Sequence, residues 1–170
     1  MKYNIDGVIV VEGSSDASFI SSVVNALIFI TNGYDINIEK LNFLKEVSKV
    51  NKIIILTDND KAGSDIRNKI KKQIPDAIDV ILEKASRKNY KKSGVAESKI
   101  DNLIKGIEPY ITSKEVFNEE YDLLSLISLN KNPEEKREEI IKKYKLVRGN
   151  NKSIENQLRM LKITKEQLWK

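Results

Sequence analysis

The chain has 170 residues, 30 Lys+Arg against 25 Asp+Glu, and 40% hydrophobic residues, which suits one ordinary domain with a true core and a small appendage, or one large domain. No apolar run approaches the roughly 20 residues of a membrane span, and the start, Met1-Lys2-Tyr3-Asn4-Ile5-Asp6-Gly7, lacks a secretory signal's apolar stretch. With neither Cys nor His there is no disulfide framework, thiolate, imidazole base or histidine-held zinc, so any catalysis must run on carboxylates, hydroxyls, Lys/Arg and hard cations.

The first half alternates between strand and helix patterns. Gly7–Val11 is a β-branched run, the signature of a strand buried on both faces. From Ser15 to about Leu27, the residues Phe19, Ile20, Val23, Val24 and Leu27 fall at helical spacing, and Ile28–Thr31 makes a second strand closed by an Asn32-Gly33 turn. Ile38, Leu41, Leu44, Val47 and Val50 form a helical stripe. Ile53–Leu56 is the third strand, Ala62–Ile74 a helix stopped at Pro75, Ile78–Leu82 the fourth strand, and Glu97–Ile107 another helix. Strands separated by helix-length segments predict an α/β fold with a mainly parallel, four-stranded, Rossmann-like sheet and flanking helices.

After Pro109 the strand signals vanish. Leu123, Leu124, Ile127 and Leu129 fall on one amphipathic helix, and Asn132-Pro133-Glu134-Glu135 opens another with a capping Asn, a first-turn Pro and acids at the positive dipole end. Ile154, Leu158 and Leu161 make a further helical face, and Thr164–Gln167 fits a capping box. The composition shift near residues 109–118 divides the chain into an α/β domain, 1–112, and a small helical domain, 113–170.

Charge is unevenly spread. Residues 1–83 hold 10 basic and 12 acidic residues, 84–130 hold 8 and 7, and 131–170 hold 12 and 6, for balances of −2, +1 and +6. Lys84, Arg87, Lys88, Lys91 and Lys92 fall in nine residues without an acid. A near-neutral body with a basic loop and basic tail suits a polyanion, because phosphate contacts release counterions. The tail helices are expected to expose Lys142, Lys143, Lys145, Arg148, Lys152 and Arg159. The plainer alternative is a lysine-rich solvated surface.

Three acids stand out by position. Glu12 comes directly after the first strand in Val10-Val11-Glu12-Gly13, and Asp58 and Asp60 come after the third in Leu56-Thr57-Asp58-Asn59-Asp60. Parallel α/β sheets bind ligands beyond the carboxyl ends of their strands. If these strands are neighbours, the carboxylates converge, and oxygen-only ligands select a hard ion such as Mg²⁺ or Mn²⁺. Gly13 would let the backbone turn sharply and a phosphate approach, with Ser15 and Asp16 at a helix start. The competing role for each acid is to cap the next helix. Gly13-Ser14-Ser15-Asp16 lacks a Walker ending, and no Gly-x-Gly-x-x-Gly occurs.

Val10-Val11-Glu12-Gly13-x-x-Asp16 with Leu56-Thr57-Asp58-Asn59-Asp60-x-Ala62-Gly63 resembles the Toprim module of topoisomerases, primases and small nucleases. Nearly the full length is similar to the ribonuclease M-5 family, through Thr31-Asn32-Gly33, Ile66-Arg67, Gly94-Val95 and the tail with Ser153, Gln157, Leu158 and Leu161. Ser14 and Asn59 depart from that family, which favours Lys or Arg after Glu-Gly and often Pro between the aspartates. Glu97 stands one position from where it carries an acid after Gly-Val. The resemblance implies a cytoplasmic, Mg²⁺-dependent endoribonuclease (Mn²⁺ a substitute) that matures precursor 5S ribosomal RNA bound to its ribosomal protein, with no membrane partner. It implies Glu12, Asp58 and Asp60 as metal and catalytic acids, Glu12 as ligand, general base or both, and Glu97 as a further catalytic acid. Gly13, Lys61, Arg67, Arg87, Lys88, Lys91, Lys92, Arg148 and Lys152 would meet the nucleic acid. The other readings are a non-catalytic RNA-binding or ribosome-assembly module, and a small Toprim DNA nuclease or primase-like protein.

Overall fold

The β-branched run at residues 8–11 becomes the middle of a sheet. The computed structural model describes residues 2–33, 36–57, 60–81 and 95–169, with backbone alone at 95–99 and 169. The chain divides into two compact units, residues 1–37 with 52–116, and residues 38–51 with 117–170. This differs from the division at 112/113: residues 38–51 group with the C-terminal helices.

In the first unit, β1 (Tyr3–Val11) lies in parallel between β2 (Val24–Ile30) and β3 (Ile53–Ile55), and β4 (Ile78–Asp79) pairs in parallel with β3. The order β2-β1-β3-β4 is the expected parallel sheet. Val8, Ile9, Val10, Val11, Ile54 and Ile55 are wholly buried, as a strand covered on both faces requires. Helices α1 (Ser14–Val23), α3 (Lys61–Gln73) and α4 (Val95–Ile107) complete this unit. Ile20, Leu103 and Ile107 join Ile9, Ile54 and Leu56 in one apolar cluster.

Boundaries moved where two patterns overlap. Val24 and Leu27 continue the helical spacing of α1, yet α1 ends at Val23 and β2 begins at once, because these residues with Phe29 are also the buried set of that strand. A fifth strand, β5 (Ile111–Thr112), pairs antiparallel with Asn4 and Ile5; two residues carry no period to detect. β1 accordingly starts four residues before the β-branched run. Gly7 sits at φ +151°, and an added Cβ would lie 2.9 Å from the Lys52 carbonyl that accepts the Val8 amide. Glycine is required there by both torsion and space.

The second unit is helical, as expected. It comprises α2 (Ile38–Val47), α5 (Leu123–Ser128), α6 (Pro133–Tyr144), α7 (Asn151–Met160) and α8 (Lys165–Trp169). Asp122, Asn132 and Asn150 cap α5, α6 and α7, and Thr164 and Gln167 exchange the bonds of the capping box. Phe43, Leu44, Val47, Leu123, Ile154 and Leu158 are fully buried. The Asn51 side-chain amide donates to the Met160 carbonyl at 2.6 Å, and Lys145 meets Glu46 at 3.3 Å, tying residues 38–51 to the tail.

Candidate functional site

Strand register decides which residues meet at the carboxyl end of the first unit's sheet. Ile9 pairs with Ile54 and Val10 with Ile55, and the Leu56 amide donates to the Val10 carbonyl at 2.9 Å. Carried forward, that register puts Glu12 level with Thr57, so the residue after β1 and the residues after β3 emerge side by side. On the other flank, the amides of Thr31 and Asn32 donate to the carbonyls of Val11 and Glu12 at 2.9 and 3.0 Å. Asn32, at φ +56°, then turns the chain away with Gly33, as the Asn-Gly signal predicted. Glu12, half-buried, thus stands between two clamped strand ends.

Gly13 does not supply a sharp turn. Its backbone is extended (φ −127°, ψ 168°), open to any residue, and its amide donates to Asp16 Oδ2 at 3.1 Å. Asp16 is thereby fixed in the first turn of α1, where a carboxylate complements the dipole. Asp60 is exposed and its Oδ1 accepts the Gly63 amide at 2.8 Å, making it the N-cap of α3. This is the role weighed against metal binding in the sequence. Only Oδ1 enters that bond.

Arg67 lies elsewhere than expected. It is 6% exposed, and its guanidinium donates Nη2 to the Thr57 carbonyl and sets Nε 3.0 Å from Asp79 Oδ1. A residue so enclosed does not present its charge to a polyanion, so the expectation that Arg67 contacts nucleic acid is corrected. Thr57, also buried, donates its hydroxyl to the Gly63 carbonyl at 3.1 Å. Gly63 therefore receives Thr57 on its carbonyl and offers its amide to Asp60. Sequence reasoning quoted Gly63 and Arg67 within a motif but missed this network. The available signal was an Arg on the stripe of Ile66 and Ile70.

Of the remaining candidates, Lys61 and Lys152 are exposed at the first turns of α3 and α7. Arg148 is exposed but forms a two-pronged pair with Glu138, Nη2 to Oε2 at 2.6 Å, which spends much of its charge within the unit. Lys142, Lys143 and Lys145 are exposed as expected. Arg159, expected on the surface, is half-buried instead, donating to the Glu119 carbonyl at 2.8 Å with its guanidinium 5.4 Å from the centre of the Tyr121 ring. Glu97 falls in the first turn of α4. Asp58, Arg87, Lys88, Lys91 and Lys92 lie outside the described residues.

Among the described residues no group of three Asp or Glu is close enough to hold a metal ion. The donor chemistry nonetheless fits a hard divalent cation. Glu12, directly after β1, and Asp60, the N-cap of α3, carry carboxylate oxygens, and the chain has no Cys or His. No helix among the described residues is long and apolar enough to cross a membrane.

The Toprim domain family matches residues 7–92. The chain is 28% identical over 170 residues to Ribonuclease M5 of Mycoplasma genitalium, covering 99% of this chain and 96% of that one. It is 32% identical over 166 residues to Ribonuclease M5 of Borreliella burgdorferi, covering 96% and 91%. Among solved structures, a small TOPRIM domain protein from Bacillus stearothermophilus is 30% identical, covering 46% of this chain and 70% of that one, with a TM-score of 0.43.

Proposed function

The chain belongs to the ribonuclease M5 family of Toprim proteins, and from that membership we propose that it is a metal-dependent endoribonuclease that trims precursor 5S ribosomal RNA. The observation that carries the chemistry is the register that brings Glu12 beside Thr57 at the carboxyl edge of a parallel sheet, one residue before Asp58. Glu12, Asp58 and Asp60 are the residues to hold Mg²⁺, with Mn²⁺ a substitute; bound there, the ion would polarise the scissile phosphate and lower the pKa of its water. Glu12 would orient or deprotonate the attacking water. Glu97 is a further acid for this chemistry.

Lys61 and Gly13, at the starts of α3 and α1, would contact the RNA backbone in this reading. The cations Arg87, Lys88, Lys91 and Lys92, with Lys152 and the exposed lysines of α6, would grip the RNA backbone. They would read shape more than sequence, since A-form grooves hide base edges. A precursor carried by its ribosomal protein in the cytoplasm is the substrate in view. One observation favours a second reading: Asp60 already serves as a helix cap, which a non-catalytic RNA-binding module would also need. Incubating the protein with precursor 5S RNA and with DNA, each with and without Mg²⁺, separates the readings. Mg²⁺-dependent cleavage of the RNA alone supports the endoribonuclease, DNA cleavage a DNA nuclease, and binding without cleavage the module.

A further inference from the structure

Buried cations are rare in a core, and Arg67 is the one charged residue among the buried polar side chains of the described residues. Its position is set by the sheet ladder. In β3, the Ile55 carbonyl accepts the Val80 amide at 3.0 Å. Two residues on, the Thr57 carbonyl faces the same side and accepts Arg67 Nη2 instead. The guanidinium thus occupies a ladder position, holding the chain at the point where it leaves the sheet. Asp79, the last residue of β4, balances the charge through Nε at 3.0 Å.

A second tie comes from the start of the same helix. Thr57 Oγ1 donates to the Gly63 carbonyl and Asp60 Oδ1 accepts the Gly63 amide. Thr57 and Asp60 are therefore both fastened to α3, one by Arg67 and Gly63, the other by Gly63 alone. Asp58 and Asn59 are the residues between them in sequence.

We propose that Arg67 is the positioning residue of the chain where it leaves β3, setting metal affinity by clamping the Thr57 carbonyl against α3 rather than by touching metal or RNA. This rests on the metal reading of Glu12, Asp58 and Asp60. Residues that orient ligands from behind typically alter metal affinity by roughly 10–100-fold. The clamp is the Nη2 bond alone, since Nε pairs with Asp79 by charge and makes no hydrogen bond; a lysine ammonium on a flexible stem holds a carbonyl less rigidly than the planar guanidinium.

The test is Mn²⁺ titration of the full chain, monitored by the spin-resonance signal of free Mn²⁺, for wild type, Arg67→Met and Arg67→Lys, with thermal melting in chelator. Arg67→Met keeps the volume and removes the clamp; we expect Mn²⁺ affinity to fall about tenfold or more while the cooperative melt survives. Arg67→Lys, which retains the charge beside Asp79, should fall between the two. If Arg67→Met fails to fold, Arg67→Lys alone decides, with weakened Mn²⁺ binding on an intact melt as the supporting result. A folded variant that binds Mn²⁺ as wild type does overturns the proposal. Failure of wild type itself to bind Mn²⁺ overturns the metal reading and the proposal with it, and is told apart because all three proteins then behave alike.

Discussion

Asp60 has two candidate jobs, and substitutions at this position separate them. As an N-cap it joins Oδ1 to the Gly63 amide at 2.8 Å at the head of the 13-residue helix α3. Replacing a capping Asp with Ala costs about 1 kcal/mol, and losing an anion from the positive helix end adds roughly 0.3–1 kcal/mol. Asp60→Ala should therefore melt lower by roughly 3–8 °C, at 2–4 °C per kcal/mol for a chain of this size. Asn caps about as well as Asp, so Asp60→Asn should melt within roughly 4 °C of wild type. If Asp60 also binds metal, both variants lose cleavage. Mg²⁺ at about 100 times its dissociation constant would then stabilise wild type by about 2.7 kcal/mol, while leaving Asp60→Asn unmoved. The assays are calorimetric melting over a Mg²⁺ series and precursor cleavage. An Asp60→Asn protein that cleaves at the wild-type rate would reduce Asp60 to a cap and refute the metal assignment.

Replacing Arg87, Lys88, Lys91 and Lys92 together with Ala should weaken RNA binding and flatten its salt dependence, the log–log slope dropping by somewhat under one unit per lost phosphate contact; an unchanged slope in filter binding would remove this stretch from the RNA interface. The Tyr121 hydroxyl, bonded to the Ile163 carbonyl, is pushed well above the ordinary value of 10.0 by burial. It stays protonated in the folded chain while the unfolded chain ionises, so stability is full below about pH 10 and falls as pH rises beyond it. Urea melts of wild type and Tyr121→Phe should diverge above that pH by about 1.4 kcal/mol per unit, wild type falling faster; parallel curves would sink the assignment. A fragment ending at residue 116 lacks the helices with which residues 38–51 group, uncovering Leu41, Phe43, Leu44 and Val47. At roughly 1.5–3 kcal/mol per buried apolar side chain, it should aggregate in gel filtration, contrary to a freely separable N-terminal domain.

The strands that build the site were readable because a parallel sheet buried on both faces demands β-branched runs, and Val8–Val11 and Ile53–Ile55 have no other use. The level of Glu12 with Thr57 was readable for the same reason: once neighbouring strands are known, the residues just beyond their ends follow from the register. Caps announced themselves through Asn132 and Thr164, whose side chains compete for backbone donors, whereas Asn150, the cap of α7, sits in a stretch that reads as a loop. Long-range pairings with no period escaped notice. β5 is too short to carry one, and Arg67 looks in sequence like any helical cation until Thr57 and Asp79 close around it. The grouping of α2 was hidden too, because an amphipathic stripe says that a face is covered and not by which partner.

That grouping has a consequence for synthesis. Residues 38–51 leave the ribosome long before residues 117–170, with which they form one unit. Asn51 waits for Met160, its hydrogen-bond partner, through 160 − 51 = 109 further residues. At roughly 5–20 residues per second that is about 5–20 seconds. Throughout this interval the helix that carries Phe43, Leu44 and Val47, each 0% exposed in the finished protein, lacks the other helices of its unit. The nascent chain thus holds residues 38–51 without the rest of their unit until its last 54 residues, 117–170, are made.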